Sequence, residues 1–456
     1  MNNLKRVLIT LVLLGAAFLA AQTETGTLSL DQARQLALQN NADYQASQAD
    51  LESAKWSRFS ALSNFLPSVS LDGTWLYMDP ATTVQAGGTS FTLNNDIRTF
   101  SLSLSQPLFL GGKIWQGYQM SKISENMART SLEAKKLSLL TDVNNLFLAT
   151  LQTQDLQKLS ELDKQSSDLN LQIAQVKYDN SLISSADYLR FQSQAASKEV
   201  SLLQAQTALQ LARLNLRNYL GLDYLPMAQK PPDSENDAVL LVLDSYGTQE
   251  SQALVARALE LGRSANSSLK LLQNGLELSQ RSYSLAKGSF LPTLMLIGSR
   301  NYEENGLDRY KFDPTNQIML TASVPLLPQL GNYANLKKAD WQYKKARLAA
   351  QTATDGILLG TEAAVLSLVS AAKQLRAAKL ALDYTQQSYE QLLERFKMNL
   401  ISSKDLLDAE LMLSSARLAN SNAIYNYYKS RVSLMQILSL EEDADLDTLI
   451  TTGANK

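Results

Sequence analysis

The sequence predicts a mostly α-helical protein with a smaller β part, in which one structural unit is written twice. Three observations predict this fold class. Short motifs recur in the same order in both halves, four segments alternate between apolar and polar residues, and long stretches contain neither glycine nor proline. Each half is predicted to contain a helix, two strands joined by a loop, and a long helical hairpin.

The internal repeat is visible in short motifs. A Phe-Leu-Pro motif at 65–67 returns at 290–292, which is 225 residues later. A Leu-Ile-Ser-Ser motif at 182–185 returns at 400–403, which is 218 residues later. The difference between the two offsets predicts a longer surface loop in the first half, over 79–95.

The first residues are typical of a secretory signal. Lys5 and Arg6 precede an apolar run over 7–19, and Ala20 and Ala21 follow it. The run is short for a membrane-spanning helix, although an uncleaved anchor is the alternative. We predict no transmembrane helix after residue 21, so any later membrane segment has to be a β-strand.

These features divide the chain into five parts. They are a signal peptide at 1–21, a first repeat at 22–221, a linker at 222–250, a second repeat at 251–440 and a C-terminal tail at 441–456. No role is assigned to the tail.

The composition excludes several classes of function. The chain has no Cys and no His, which excludes disulfides, thiol nucleophiles, Cys/His zinc sites and imidazole catalysis. A formal net charge of -2 gives no overall basic field of the kind that nucleic-acid-binding proteins have. No phosphate-binding glycine loop or nucleophile elbow occurs in the sequence, so an enzyme would need a carboxylate pair or a Ser-Lys pair. We therefore expect no enzyme, no cofactor, no metal and no nucleic acid partner.

Four alternating segments are predicted as strands, at about 68–78, 97–107, 293–303 and 316–325. A helix that has Asp31 as its N-cap and runs to about Ser63 precedes the first strand. Each strand has about ten residues, the length that a tilted strand needs to cross a membrane. The residues predicted to face lipid are Leu71, Trp75, Phe100, Leu102, Leu296 and Leu320. The alternative to membrane strands is a pair of amphipathic β-hairpins that pack on a soluble core.

Two long helical hairpins are predicted, at 113–220 and 332–440. Neither Gly nor Pro occurs over 118–220 or 361–452, and apolar residues follow heptad spacing. One such stripe consists of Leu159, Leu162, Ser166, Leu169, Ile173 and Val176. Asn and Ser residues near the middle of each run predict the turns. A first arm of about 65 residues would be roughly 100 Å long, which no compact domain of this size needs.

The strand count has a consequence for assembly. Four strands cannot close a barrel, because the smallest membrane barrels have eight strands. An open sheet edge is not tolerated in lipid. If the strands lie in a membrane, several copies of the chain have to combine them, and three copies would supply twelve.

The two hairpin tips, at 178–187 and 396–405, resemble those of the TolC family of outer-membrane channels, as do the duplicated plan and the Phe-Leu-Pro junctions. The resemblance covers about residues 28–440. It implies a homotrimer with a twelve-stranded β-barrel in the lipid of the outer membrane, continued by an α-helical barrel in the periplasm. It also implies two partners, a periplasmic adaptor protein and an inner-membrane pump of the RND, ABC or MFS type.

The resemblance further implies a periplasmic constriction. Family members often carry carboxylates just after the second tip, where Asp405 and Asp408 stand, and Asp187 holds the matching position in the first half. The i, i+3 spacing puts Asp405 and Asp408 on one helix face. Three copies would then form two rings of negative charge that favour cations. The alternatives are solvated surface acids, or a turn-supporting role for Asp187 and Asp405.

The tips are expected to contact the adaptor. The implied contacts are Ser181, Leu182, Ile183, Asn399, Leu400 and Ile401. Family members have Gly where this chain has Ser181 and Asn399, which leaves the geometry of the turns open. Some members have an Arg at the position of Ile401 that helps to lock the closed state, so a different set of contacts is expected to hold the gate here.

The sequence favours a passive exit duct for small toxic molecules, which a pump delivers through the adaptor. Two alternatives stay open. One is export of proteins by a type I secretion system, and the other is a periplasmic coiled-coil protein without a pore.

Overall fold

The computed structural model describes residues 27–93, 95–229, 237–304, 311–326 and 330–452. The predicted signal peptide and residues 230–236 of the predicted linker lie outside the described residues. The helices are α1 (Leu30–Asn40), α2 (Ala42–Ser63), α3 (Lys113–Asp179), α4 (Ser185–Leu220), α5 (Ala238–Ser245), α6 (Thr248–Ala265), α7 (Ser267–Lys287), α8 (Leu330–Lys397), α9 (Ser403–Leu438) and α10 (Asp443–Thr451). The strands are β1 (Ser68–Tyr77), β2 (Thr83–Ala86), β3 (Thr89–Thr92), β4 (Asp96–Leu110), β5 (Thr293–Glu304) and β6 (Phe312–Ser323).

The chain divides into two compact units. Unit 1 contains the residues up to Ala46, Glu133–Ser267 and the residues from Asp355 onward. Unit 2 contains Ser47–Leu132 and Ser268–Thr354. Each unit takes segments from both halves of the sequence repeat, and all the described strands belong to unit 2.

Unit 2 contains an antiparallel sheet in the order β1-β4-β5-β6. Ser68 pairs with Ser105, Leu110 pairs with Thr293, and Thr293 pairs with Ser323. The strand ends that connect to helices therefore lie together, at one end of all four strands. We call this end of the sheet, which is distinct from the open sides of the outer strands, the helix-linked edge. Among the described residues, the outer strands β1 and β6 are each paired on one side only.

The strands lie within one or two residues of the predicted bounds, with three larger differences. β4 continues three residues past its predicted end, because a bulge between Pro107 and Phe109 lets the strand pass a residue without an N–H donor. β6 begins at Phe312, four residues before its predicted start. The predicted loop contains the β2–β3 hairpin, whose turn residues Gly87 and Gly88 have φ angles of +63° and +83°. Such positive angles are what a two-residue hairpin turn requires.

The first helix is interrupted, and the prediction of one helix capped by Asp31 is wrong. Ser29 is the N-cap, and its hydroxyl accepts a hydrogen bond from the Gln32 N–H at 3.2 Å. Asn41 separates α1 from α2, and its side chain accepts a hydrogen bond from the Tyr44 N–H at 2.9 Å. A side chain that caps the second helix in this way competes with continuation of the first.

Apolar clusters along the long helices form the core of unit 1. One cluster joins α5, α6 and α10 to α8 and α9, and buries Leu243, Leu368 and Leu446 fully. A second joins α1 and α4 to α3 and α9, and a third lies at the hairpin tips. The predicted tail is therefore folded in part, because α10 belongs to the first cluster and Arg431 of α9 contacts Asp447 at 2.6 Å.

The heptad stripe of α3 faces outward from the chain over much of its length. Leu162, Leu169 and Val176 are exposed, whereas Asn170 and Lys177, each one position further on, are buried. Near the tip, the buried positions of α3 thus lie one residue after the exposed members of the stripe, although Ile173 of the stripe packs against the tip cluster. An exposed apolar stripe of this kind is typical of an interaction surface.

One described helix, α8, contains an apolar stretch that could cross a membrane by length and composition alone. This finding differs from the prediction of no transmembrane helix after residue 21. Leu368 and Ala372 of α8 are fully buried in the first core cluster. Packing against protein therefore accounts for part of this apolar stretch, of which 39% is buried.

Candidate functional site at the hairpin tips

Two turns connect the arms of the hairpins. Ser181 in the first turn has a φ angle of +57°, and Asn399 in the second has +59°. The N–H groups of Leu182 and Leu400 donate back to the last helical turn at 2.8 and 2.9 Å. Both turns thus keep the left-handed geometry that glycine adopts most easily. A residue with a side chain pays about 1 kcal/mol for this conformation.

Asp187 and Asp405 both belong to helix caps. The Ser184 hydroxyl accepts a hydrogen bond from the Asp187 N–H at 3.1 Å, and the Ser402 hydroxyl accepts one from the Asp405 N–H at 3.2 Å. The Asp405 carboxylate accepts in return from the Ser402 N–H at 3.1 Å, which completes a capping box. Hydrogen bonds from the side chain and backbone of Ser402 hold the pKa of Asp405 below its ordinary value. A turn-supporting role is therefore present in both halves.

Asp405 and Asp408 are exposed and line one groove between α8 and α9. Lys404 lies 3.8 Å from Asp408, and such an exposed pair stabilises little. Asp187 lies outside this groove, on α4, and is 3.7 Å from Arg190. The structure thus brings together two of the three acids that were predicted to form the constriction.

The predicted adaptor contacts differ in exposure. Leu182 and Leu400 are 56% and 68% exposed. Ile183 and Ile401 instead pack against the apolar cluster at the tips. Met398, which the sequence analysis did not select, is 64% exposed. Both tips therefore present apolar side chains to solvent, as interaction surfaces commonly do.

A buried lysine connects the two tips. The Lys177 ammonium donates a hydrogen bond to the Asn399 side chain and lies 4.7 Å from the centre of the Phe396 ring. Burial lowers the pKa of Lys177. These contacts join the first hairpin to the turn of the second, two residues before Ile401. Sequence reasoning missed them, because a lysine in a helix is usually solvated.

A second polar contact connects the hairpins inside the helical packing. Glu410 is buried, and Asn170 donates a hydrogen bond to its Oε2 at 2.7 Å. The Asn170 side chain also donates to the Tyr389 hydroxyl at 3.0 Å. Burial raises the pKa of Glu410, and the hydrogen bond from Asn170 opposes this rise only in part. No sequence signal pointed to this cluster, since Asn and Glu are ordinary residues on helix surfaces.

The sheet of unit 2 has one apolar face. Leu71 pairs with Leu102, and paired residues point to the same side of a sheet. Continued across β5 and β6, the register puts all six residues that were predicted to face lipid on this side. Arg300 also lies on it, four residues from the loop end of β5. The opposite face is richer in hydroxyl groups, and there the hydroxyls of Ser70 and Ser103 lie 2.7 Å apart. It also contains two apolar pairs, Leu76 with Ile97 and Ile297 with Met319.

The comparison with known families decides the identity. The family model for outer membrane efflux proteins matches residues 33–222 and 258–439. The chain belongs to the outer membrane efflux protein family. The two matched segments correspond to the two halves of the repeat.

Two relatives are similar over most of their length. The outer membrane protein TolC of Vibrio cholerae serotype O1 is 23% identical over 358 residues, which cover 77% of this chain and 79% of that protein. The alkaline protease secretion protein AprF of Pseudomonas aeruginosa is 22% identical over 442 residues, which cover 95% and 89%.

Solved structures share the fold. The outer membrane protein VceC of Vibrio cholerae superposes with a TM-score of 0.76 at 17% identity, over 90% of this chain and 96% of that one. The Campylobacter jejuni CmeC outer membrane channel superposes with a TM-score of 0.76 at 18% identity, over 93% and 89%. The predicted combination of a helical barrel and a β domain is thereby confirmed.

Membership of the outer membrane efflux protein family fixes the location and the class of function. The protein is an outer-membrane channel of tripartite efflux or secretion systems, with a periplasmic extension, and not an enzyme. The alternative of a periplasmic coiled-coil protein without a pore is excluded.

Proposed function

We propose that three copies of this chain form one duct, in which each copy adds β1, β4, β5 and β6 to a twelve-stranded barrel. The observation that carries this proposal is the sheet, which has an apolar face, a polar face and two outer strands that are each paired on one side among the described residues. Open strand edges are not tolerated in lipid. Pairing of β1 in one copy with β6 in the next satisfies these edges, turning the apolar face toward lipid and the polar face toward the lumen.

The exposed tips would dock onto a periplasmic adaptor protein. Leu182, Met398 and Leu400 supply the apolar contact surface, and the turn residues Ser181 and Asn399 lie between the arms. The adaptor would connect the duct to an inner-membrane pump of the RND, ABC or MFS type. The signal peptide at 1–21 would direct the chain to the periplasm before insertion.

Asp405 and Asp408 would form the constriction at the periplasmic end. Their shared groove supports this role, since three copies place two rings of carboxylates around the axis. Hydrogen bonds from Ser402 lower the pKa of Asp405, which favours the ionised form that such a ring requires. Asp187 would contribute a further acid from the first hairpin, beside its role in the cap.

We propose small toxic molecules as the cargo, because the chain belongs to a family of efflux proteins. A second candidate rests on one observation: a relative named for alkaline protease secretion matches 95% of this chain. Deletion of the gene separates the two candidates. Loss of small-molecule export raises sensitivity to a panel of toxic compounds, whereas loss of type I secretion removes a protein from the culture medium and leaves sensitivity unchanged.

Single-channel conductance tests the duct and its constriction. Purified full-length protein in a planar bilayer is compared with an Asp405→Asn/Asp408→Asn variant. The control is Glu390→Gln, which removes an exposed acid from the neighbouring helix α8. Asn keeps an oxygen that can cap α9, so the double variant isolates charge. We expect cation-selective currents in the wild type and Glu390→Gln, and weaker selectivity in the double variant. Equal selectivity in all three would overturn the constriction, and absence of discrete currents would overturn the duct.

A further inference from the structure

Basic residues are concentrated beside the helix-linked edge of the sheet. In the ten residues of α2, α3, α7 and α8 that lie nearest the strands, each helix has two Lys or Arg residues and no Asp or Glu. These eight residues are Lys55, Arg58, Lys113, Lys122, Arg281, Lys287, Lys337 and Lys338. We call them the basic collar. The chain as a whole has a net charge of -2, so the collar is a local excess.

The charge of the strand region has the opposite sign. Residues 68–110 and 293–323, which contain the strands and their loops, carry seven Asp or Glu residues against four Lys or Arg residues. The helix-linked side is therefore basic, and the strand region is acidic. A one-sided distribution of this kind around a membrane segment is a known determinant of contact with anionic lipid.

Aromatic side chains are interleaved with the collar. Trp56 is 69% exposed, Trp115 is 53% exposed and Tyr333 is 55% exposed. The Lys337 ammonium lies 5.6 Å from the centre of the Tyr333 ring. Trp and Tyr are enriched at membrane–water interfaces, where the ring lies at the level of the headgroups. The combination of exposed aromatic and basic residues therefore points to a lipid surface.

Most of the collar has no carboxylate partner. Lys55 pairs with Glu52 at 2.6 Å, Arg58 with Glu125 at 3.0 Å and Arg281 with Glu277 at 3.2 Å. Within the described residues, no ion pair involves the other five members. Lys122, Lys287, Lys337 and Lys338 are exposed. Their charge is thus available to an external anion.

The collar lies within reach of the headgroup region. Ten helical residues span about 15 Å, and the four helices begin or end within a few residues of the strands. The polar layer on each side of the hydrocarbon core is roughly 5–8 Å thick. Lysine and arginine extend their apolar stems toward this layer, and charge acts over about 8 Å at physiological salt.

We propose that the basic collar binds the phosphate headgroups of anionic phospholipids in the periplasmic leaflet of the outer membrane. The proposal rests on the insertion of the sheet proposed above, because insertion brings the helix-linked edge to that leaflet. Charge complementarity and continuity with the apolar face of the sheet carry it. The bound headgroups neutralise the collar and fix the depth of the barrel in the bilayer.

Native mass spectrometry of the full-length oligomer tests the proposal. The protein is extracted into detergent with equal amounts of phosphatidylglycerol and phosphatidylcholine. The test variant is Lys337→Gln/Lys338→Gln. The matched control is Lys345→Gln/Arg347→Gln, which removes two exposed basic residues from the same helix, more than two turns further from the sheet. Like Lys337 and Lys338, these two residues form no ion pair within the described part of the chain. We expect the wild type and the control to retain phosphatidylglycerol selectively. The affinity of the test variant for this lipid should fall by a factor of roughly ten or more.

Each other outcome overturns the collar. If the wild type retains the two lipids equally, the protein does not select anionic headgroups. If both variants lose phosphatidylglycerol equally, binding does not depend on the position of the lysines beside the sheet. A changed ion selectivity in Lys337→Gln/Lys338→Gln with unchanged lipid retention places these lysines in the lumen. Conductance of the same preparations separates this failure from failure of the duct. Conducting oligomers without lipid selectivity leave the duct intact, whereas protein that neither conducts nor assembles contradicts the proposed function itself.

Discussion

Asn170 and Glu410 join the two hairpins inside the protein, with 2.7 Å between Asn170 Nδ2 and Glu410 Oε2. Both residues are buried, and Glu410 Oε1 has no hydrogen-bond partner among the described atoms. Burial raises the pKa of Glu410, and hydrogen bonds from Asn170, Ser167 and Gln194 together with the charge of Lys198 offset this rise only in part. A carboxylate held in this way favours its protonated form. We therefore expect the contact between the hairpins to depend on pH.

Glu410→Gln is expected to remove this pH dependence. The pKa of Glu410 is raised in the folded protein from its ordinary value of 4.5, so the folded state binds the proton more tightly than the unfolded state. The stability that this residue contributes is full below pH 4.5 and is lost as the pH rises toward the folded value. The variant should therefore gain stability relative to the wild type as the pH rises from about 5 to about 8.

Thermal unfolding midpoints at both pH values measure this difference. Glu390→Gln is the matched control, because Glu390 is exposed on α8. Its difference from the wild type should stay constant with pH. If the Glu410→Gln difference is also constant, burial of the carboxylate does not govern its ionisation.

Ser181→Gly is expected to stabilise the first tip by up to about 1 kcal/mol, because Ser181 is held in a left-handed conformation at a φ angle of +57°. Asn399→Gly removes similar strain but also the acceptor of the Lys177 hydrogen bond. Hydrogen exchange over 177–183 and 395–401 separates the two effects. We expect slower exchange at the first tip in Ser181→Gly and faster exchange at both tips in Asn399→Gly. Faster exchange at the first tip in Ser181→Gly would contradict this prediction. It would show that the serine side chain stabilises the turn by more than its backbone strain destabilises it.

Much of the fold follows from local patterns in the sequence. Alternation located the four long strands to within a few residues, since the apolar face had to lie on one side of a sheet. The Asn and Ser residues near 180 and 399 located both hairpin turns, because neither glycine nor proline occurs over 118–220 or 361–452. The duplication added a check, as each element of one half had a counterpart in the other.

The contacts between the hairpins could not be predicted in the same way. Lys177 and Asn170 are buried by helices that lie more than two hundred residues away in sequence. Their residue types are those of solvated helix surfaces, so burial is visible only once the packing is known. The Gly87-Gly88 hairpin is different, because two glycines between Thr83–Ala86 and Thr89–Thr92 are a local turn signal that alternation alone did not exploit.

Gly111→Ala is expected to disrupt the helix-linked edge. Gly111 has a φ angle of +62°, and a Cβ there would lie 2.2 Å from the carbonyl oxygen of Gly288. Gly112→Ala is the matched control, since Gly112 has a φ angle of +75° but no atom within 4 Å of the position that a Cβ would occupy. The control carries only the backbone strain of about 1–2 kcal/mol, whereas Gly111→Ala must also displace backbone. We expect heat-resistant oligomers on a gel for Gly112→Ala and their loss for Gly111→Ala. Equal behaviour of the two variants would show that the close approach of the two glycines does not limit folding.

Leu446→Ala is expected to destabilise unit 1 by about 2–5 kcal/mol, the usual result of emptying a fully buried leucine site. Leu446 is fully buried and connects α10 to the core cluster on α8 and α9. Detachment of α10 would also take Asp447 away from Arg431, a buried cation that it contacts at 2.6 Å. Thr448→Ala is the control on the exposed side of α10. The denaturant midpoint should fall for Leu446→Ala and stay close to the wild type for Thr448→Ala. If the leucine variant is as stable as the control, α10 contributes no packing energy to the core of unit 1.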